Sequence, residues 1–418
     1  MPAPNGNLEK PWILTQMSRN EHIAFILFCL FLAGGLFGTS VWAALLIICV
    51  VYTAIEKRKG DGVSSVKTNI ADVFVLAVIL AEMLSLLFSQ YQSNSVRFSY
   101  PIVLVAFFWF FFRRQCLGYS SQLFVNIGLS GFSAILSAVT IAGFISFKKE
   151  YAIFAPASLI EFKNNFTPAG MPINDWVAYL LCLLPYPFDW AVKEKRKWKK
   201  VVAIVDAALS LIAIGLCLSR GAYVAVAIFF LVSVAFSIFM GKTSARKTVV
   251  ILSVSLFLAV VCLLPVRAEV MTTLAMSETS TQVRSTNGRL RQMEDAISLW
   301  KEHPWTGVGS GNFNLVYDSG FHDEVISTAR ATSTYSLILV EKGLVGVIAY
   351  GGLILVILAI NLIRCRSGRK YPFMIAGFSA MCARGLFFSS LFYYRIVLTL
   401  VILLALRSVQ EAETENHE

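Results

Sequence analysis

Apolar residues run in long blocks along most of the chain, cut by short polar breaks. A membrane crossing needs about 20 mainly apolar residues to bridge about 30 Å of hydrocarbon. The blocks at 22–37, 39–55, 70–88, 98–112, 122–147, 175–192, 201–219, 221–240, 248–266, 333–363, 372–390 and 392–407 each predict a span, about twelve in all. The expected fold is an all-α integral membrane protein. Polar residues fill the chain ahead of the first block, the second block follows at once, and no small-residue cleavage motif separates them. The first block is therefore expected to stay as a span rather than be removed as a signal peptide.

The breaks predict an orientation. With the N-terminus inside, Glu56-Lys57-Arg58-Lys59, Arg113-Arg114, Lys193 to Lys200, Lys242 to Lys247 and Arg364 to Lys370 face the cytoplasm, and each is a basic cluster. The opposite side receives 89–97, 148–174 and 267–331, which mix acids with bases. This is the positive-inside distribution, and it places both termini in the cytoplasm. Four regions follow: 1–266 with about nine spans, a large external loop at 267–331, 332–407 with about three spans, and a tail at 408–418. A loop as long as 267–331 without a function is uncommon, so chemistry is expected on the outer face.

Composition agrees with the pattern. Hydrophobic residues make up 57% and charged residues 15% of the 418 residues. A soluble domain is about 45–50% apolar even with glycine counted, and about 25% charged. The formal charge of +11 belongs with basic cytoplasmic loops, and no nucleic-acid partner is expected. The cysteines fall mostly inside apolar blocks, with no CxxC and no Cys/His spacing, so neither a disulfide framework nor a metal site is expected. No cofactor is implied.

Four places could carry chemistry. Ser219-Arg220-Gly221 puts an arginine at the outer edge of a span, where it either snorkels to the headgroups or aims a planar five-donor fork at phosphate. Further on, Asn287 to Trp300 has Leu290, Met293, Ile297 and Trp300 at helical spacing, with Asn287 as a possible N-cap and Pro304 as a stop. It predicts an amphipathic helix on the outer membrane surface. Arg289 falls in its first turn, where it either is a solvated charge or strengthens an anion site at a helix N-terminus. The glycines of Pro304 to Phe313 could cradle phosphate, but they lack the Lys-Ser/Thr of a nucleotide loop, and a tight structural turn is the favoured reading. Glu341-Lys342-Gly343-Leu344-Val345-Gly346 marks the return to the membrane. The acids Asp72, Glu82 and Asp206 lie within apolar blocks, where structural pairing is favoured over a proton or ion pathway.

Together these motifs resemble the O-antigen ligase and polymerase superfamily of bacterial polytopic membrane glycosyltransferases. Ser219-Arg220-Gly221, Gly288-Arg289, His303 to Phe313 and Glu341-x-Gly343-Leu344-x-Gly346 match in order and separation, as does one large loop before the last three spans. The resemblance implies transfer of a glycan from undecaprenyl pyrophosphate to a sugar hydroxyl at the periplasmic face of the inner membrane, without a metal. The acceptor would be lipid A core for a ligase, the first expectation, or a second lipid-linked glycan for a polymerase. The large loop would be periplasmic, with Arg220 and Arg289 binding the donor pyrophosphate and Arg291 a further candidate beside them.

Members commonly carry His-Asn about eleven residues before the glycine matching Gly343; this chain has Thr332-Ser333 there. Neither hydroxyl is a base near neutral pH. His322 is then the candidate general base, with Asp318 or Glu324 as substitutes, and Arg289 and His322 are the candidate catalytic residues. A flippase or secondary transporter is the alternative of a different class. It would place its binding groups near mid-membrane, with broken helices in paired positions.

Overall fold

The structure is a computed structural model that describes residues 43–52, 69–114, 119–150, 171–275, 292–320, 333–364, 372–388 and 395–413, with isolated positions between 23 and 31 and between 162 and 168. All regular elements among these are helical. After a short apolar helix at Ala43–Tyr52, they are in chain order α1 (Ile70–Leu87), α2 (Gln92–Arg114), α3 (Tyr119–Glu150), α4 (Ile173–Leu183), α5 (Pro185–Lys193), α6 (Lys197–Leu216) and α7 (Arg220–Phe239). There follow α8 (Lys242–Leu263), α9 (Arg267–Ala275), α10 (292–302), α11 (Phe313–Gly320), α12 (Thr334–Arg364), α13 (Phe373–Arg384) and α14 (Arg395–Glu413).

Six helices among the described residues are long and apolar enough to cross a membrane. They correspond to α1, α2, α3, α7, α8 with its extension, and α12. The other expected spans are shorter, broken or begin with charge. The block at 175–192 is two helices, because Pro185 has no amide to donate and Leu184 becomes the junction between α4 and α5. The α6 helix opens on Lys197, Lys199 and Lys200, and α13 has 12 residues. Much of the first two blocks lies outside the described residues.

Lipid-facing and interior sides are told apart by what they expose. Along α8, Val250, Phe257, Val260 and Val261 are exposed, as hydrocarbon contact permits. The interior instead carries hydroxyls. Asn126, Ser130, Ser133, Ser137 and Thr140 recur at spacings of three and four along α3, and all are fully buried. Ser130 donates to Asp206, Ser133 meets Ser210 at 2.9 Å, and Trp176 Nε1 donates to Thr140 at 2.7 Å. Small polar side chains let helices approach closely and bond across the seam, which is how α3 seats against α6 and α4.

The short helix α13 is the hub. It packs on α7, α14, α5, α4 and α12, and its Phe373 ring lies 5.6 Å from Phe188 and 6.2 Å from Phe229. One end of the bundle, called here the upper end, is where α4, α7 and α12 begin and α13 finishes. The basic segments Lys195–Lys200 and Arg246-Lys247 fall at the lower end. Arg113, expected in a basic break, is instead buried there against Asp72 Oδ1 at 2.7 Å, and Trp109 Nε1 donates to the same carboxylate at 3.0 Å.

Candidate functional site at the upper end of the bundle

Arg220 opens α7 and is half-buried. Its position is set by a tight connection from α6. Leu218, fully buried, takes φ +50°, a left-handed conformation that costs about 1–3 kcal/mol for a non-glycine residue. Tyr223 ties the turn down by donating its hydroxyl to the Gly215 carbonyl at 2.8 Å. Ser219 is the N-cap of α7, but its hydroxyl makes no capping bond to that helix. It donates instead to Asn174 Oδ1, in the first turn of α4, at 3.3 Å. The first amides of α7 therefore lack a side-chain cap just where Arg220 adds a positive charge. Helix N-termini favour anions, and a cation there opposes the helix dipole unless an anion joins it.

Asn174 has a second partner that the sequence reading missed. The guanidinium of Arg384, 1% exposed, donates through Nη2 to the Asn174 carbonyl and lies 4.8 Å from the centre of the Phe388 ring. The available signal was an arginine twelve residues into the apolar block 372–390. The turn after Arg384 meets the start of α12. Gly385 O accepts from Thr334 N at 2.8 Å and from Ser333 Oγ at 3.2 Å, and Phe388 O accepts from Thr334 Oγ1 at 2.8 Å. Ser333 also receives the Tyr335 amide at 3.3 Å. Ser333, within the pair that replaces His-Asn, is thus a helix cap and anchor.

Three helix N-termini, α4, α7 and α12, converge with Arg220 and Arg384 around the end of α13. Below Thr334 and Tyr335 an apolar crevice runs between α1, α2, α12, α13 and α14, past Val78, Val105 and Ile354 to Ile357. Such a site can hold an anionic group at the rim with an apolar chain beneath it.

The glycine-rich segment does different work. The α12 helix breaks at Gly343, where φ is +62°. The break frees the carbonyls of Val340 and Glu341 and the amides of Leu344 and Val345, which would otherwise bond one another. The loop supplies all four partners. Val308 N and Gly309 N donate to Val340 O and Glu341 O at 2.9 and 3.0 Å, while Leu344 N and Val345 N donate to Pro304 O and Trp305 O at 2.9 and 3.2 Å. A Cβ at Gly307 would strike the backbone of Glu341 and Lys342, and one at Gly343 the Trp305 carbonyl. The turn is structural, as favoured from sequence.

Beneath it lies a buried polar cluster. Lys342 Nζ bonds Glu82 at 2.7 Å and Ser310 Oγ at 2.6 Å; Ser310 also donates to Glu82 at 2.8 Å, and the Tyr350 hydroxyl completes the carboxylate. Asp72 and Glu82 are thus structurally paired, and Asp206 is hydrogen-bonded. Loop and α10 share a small core of Ala296, Leu299, Val308, Phe313, Leu337 and Val340. The face of α10 turned to this core is Ala296 and Leu299, while Met293, on the apolar face expected to lie over the membrane surface, is 49% exposed. Arg289, Arg291, His322 and Glu324 lie outside the described residues, as does the side chain of Asp318.

A helical protein with several membrane-spanning helices and one half-buried arginine, Arg220, at the end of the bundle is the class these features define. Residues 207–351 match the family model described as O-antigen ligase. The match spans α6 to the middle of α12, takes in all four sequence motifs, and supports the place of this chain in the O-antigen ligase and polymerase superfamily. Arg384 falls beyond it. No curated protein matches the chain.

Proposed function

We propose that this protein transfers a glycan from undecaprenyl pyrophosphate to a sugar hydroxyl at the periplasmic face of the bacterial inner membrane, as an O-antigen ligase acting on lipid A core. The observation that carries the reading is Arg220 at the uncapped start of α7, inside the matched segment. The acceptor oxygen attacks the anomeric carbon, the carbon–oxygen bond to pyrophosphate breaks, and undecaprenyl pyrophosphate leaves. Its leaving group is already activated, so the protein's task is orientation and charge neutralisation. Arg220 grips the diphosphate, with Arg289 and Arg291 from the segment ahead of α10 completing the grip. His322 accepts the hydroxyl proton. The crevice below Tyr335 takes the apolar chain of the donor.

A lipopolysaccharide gel tests this in a deletion strain complemented with variants. Arg220→Ala is expected to lower core-linked O-antigen by at least about 10²-fold, the cost of removing one oriented transition-state donor. Arg220→Lys recovers little, because an ammonium lacks the fork. Lipid-linked polymer accumulates in both strains. A single repeat on the core would identify a polymerase, a reading the second external segment at 148–174 favours. An unchanged ladder sinks both.

A further inference from the structure

Arg384 has no place in the reaction as derived above, yet it is only 1% exposed, the most deeply buried cation among the described residues at the upper end. Burying a guanidinium within a membrane bundle is costly unless its contacts repay the lost hydration. Its contacts lead to both halves of the proposed site. On one side, Arg384 Nη2 bonds the Asn174 carbonyl, Asn174 Oδ1 receives Ser219 Oγ at 3.3 Å, and Ser219 precedes Arg220. The Phe388 ring under the guanidinium also touches α7, since a Cβ on Gly221 would lie 2.8 Å from it. On the other side, the carbonyls of Gly385 and Phe388 hold Ser333 and Thr334 at the start of α12.

We propose that Arg384 is a positioning residue for donor binding: through Asn174 it fixes Ser219, the residue ahead of Arg220, and so aims Arg220 at the pyrophosphate, while its turn clamps the start of α12 against the same rim. The proposal rests on the transferase reading. The planar guanidinium bonds Asn174 through Nη2 while lying over the Phe388 ring, and a compact ammonium does not match both contacts. Asn174 is the relay, so its side chain is required even though Arg384 bonds its backbone.

The test uses full-length protein in nanodiscs and measures binding of a polyprenyl pyrophosphate, alongside turnover and thermal unfolding. Arg384→Gln and Asn174→Ala are each expected to weaken binding by about five- to tenfold, the worth of one net hydrogen bond. In turnover, the donor KM rises while kcat stays within a few-fold. The double variant binds no worse than the weaker single, because both changes cut one linkage. Arg384→Lys restores thermal stability but not affinity. A purely structural role lowers the unfolding temperature and leaves affinity unchanged in the folded fraction, and that result overturns the proposal. So do additive losses in the double variant. Asn174→Ala, at a half-buried position, carries the test if the Arg384 variants fail to accumulate. Wild-type protein that binds no polyprenyl pyrophosphate overturns the transferase reading along with this one, whereas wild-type binding matched by every variant overturns this one alone.

Discussion

Arg113 and Asp72 illustrate how a charge inside the bundle behaves. Arg113 is 2% exposed and bonds a carboxylate that also accepts from Trp109 and from the Asn69 amide at 2.9 Å. Taking one partner away leaves the other charge buried without its counter-ion, at a cost of about 3–5 kcal/mol; replacing both with apolar side chains removes the desolvation as well as the attraction. Arg113→Met is therefore expected to lower the unfolding temperature in detergent more than the double Asp72→Leu/Arg113→Met does. A double variant as unstable as the two single effects summed would show that the pair is not what holds these groups. The sequence marks Asp72 as a buried acid but assigns Arg113 to a basic cytoplasmic break, because interhelical pairing leaves no trace in spacing. Trp109 and Arg113 are four apart and share a helix face, which would have been the only hint. Arg384 was overlooked for the same reason: an isolated cation in an apolar block has no meaning until its partners are known.

At the level of elements, α12 and the loop before it form one unit. Neither is complete by itself, since the loop supplies hydrogen bonds that α12 loses at Gly343. Alanine there must hold φ near +62° and push against the Trp305 carbonyl. The left-handed backbone alone costs roughly 1–3 kcal/mol, so Gly343→Ala is expected to unfold at clearly lower temperature and to open 304–313 to proteases. Gly351→Ala, further along the same helix with nothing within 4 Å of its added methyl, serves as the control and should be neutral. Equal behaviour of the two variants would refute the account. Sequence identified both segments and favoured a structural turn, yet it could not say that one repairs the other, because four exchanged backbone bonds involve no side chain. It also gave α10 an apolar face toward the membrane surface and left the face turned to the loop undescribed. That face brings Ala296 and Leu299 into the small core with Val308 and Phe313.

Across the whole molecule, an extracytoplasmic reaction requires that the upper end of the bundle face the periplasm. The helical class and six of the predicted spans were legible because hydrocarbon thickness acts on composition. The depth of each helix was not, and so the single block 175–192 became two helices and α13 came out short. The geometry gathers Arg220, Arg384 and the start of α12 at the end opposite the basic segments Lys195–Lys200 and Arg246-Lys247, a separation that fits the positive-inside distribution. Lys301 in α10 and Lys195 are both exposed, one in the loop region packed on α12 and the other in the basic break after α5. In a background with its cysteines replaced by serine, Lys301→Cys is expected to react with a membrane-impermeant maleimide in cells whose outer membrane has been permeabilised. Lys195→Cys should react after the inner membrane is opened as well. The reverse pattern would put Arg220 on the cytoplasmic side and refute the proposed periplasmic reaction.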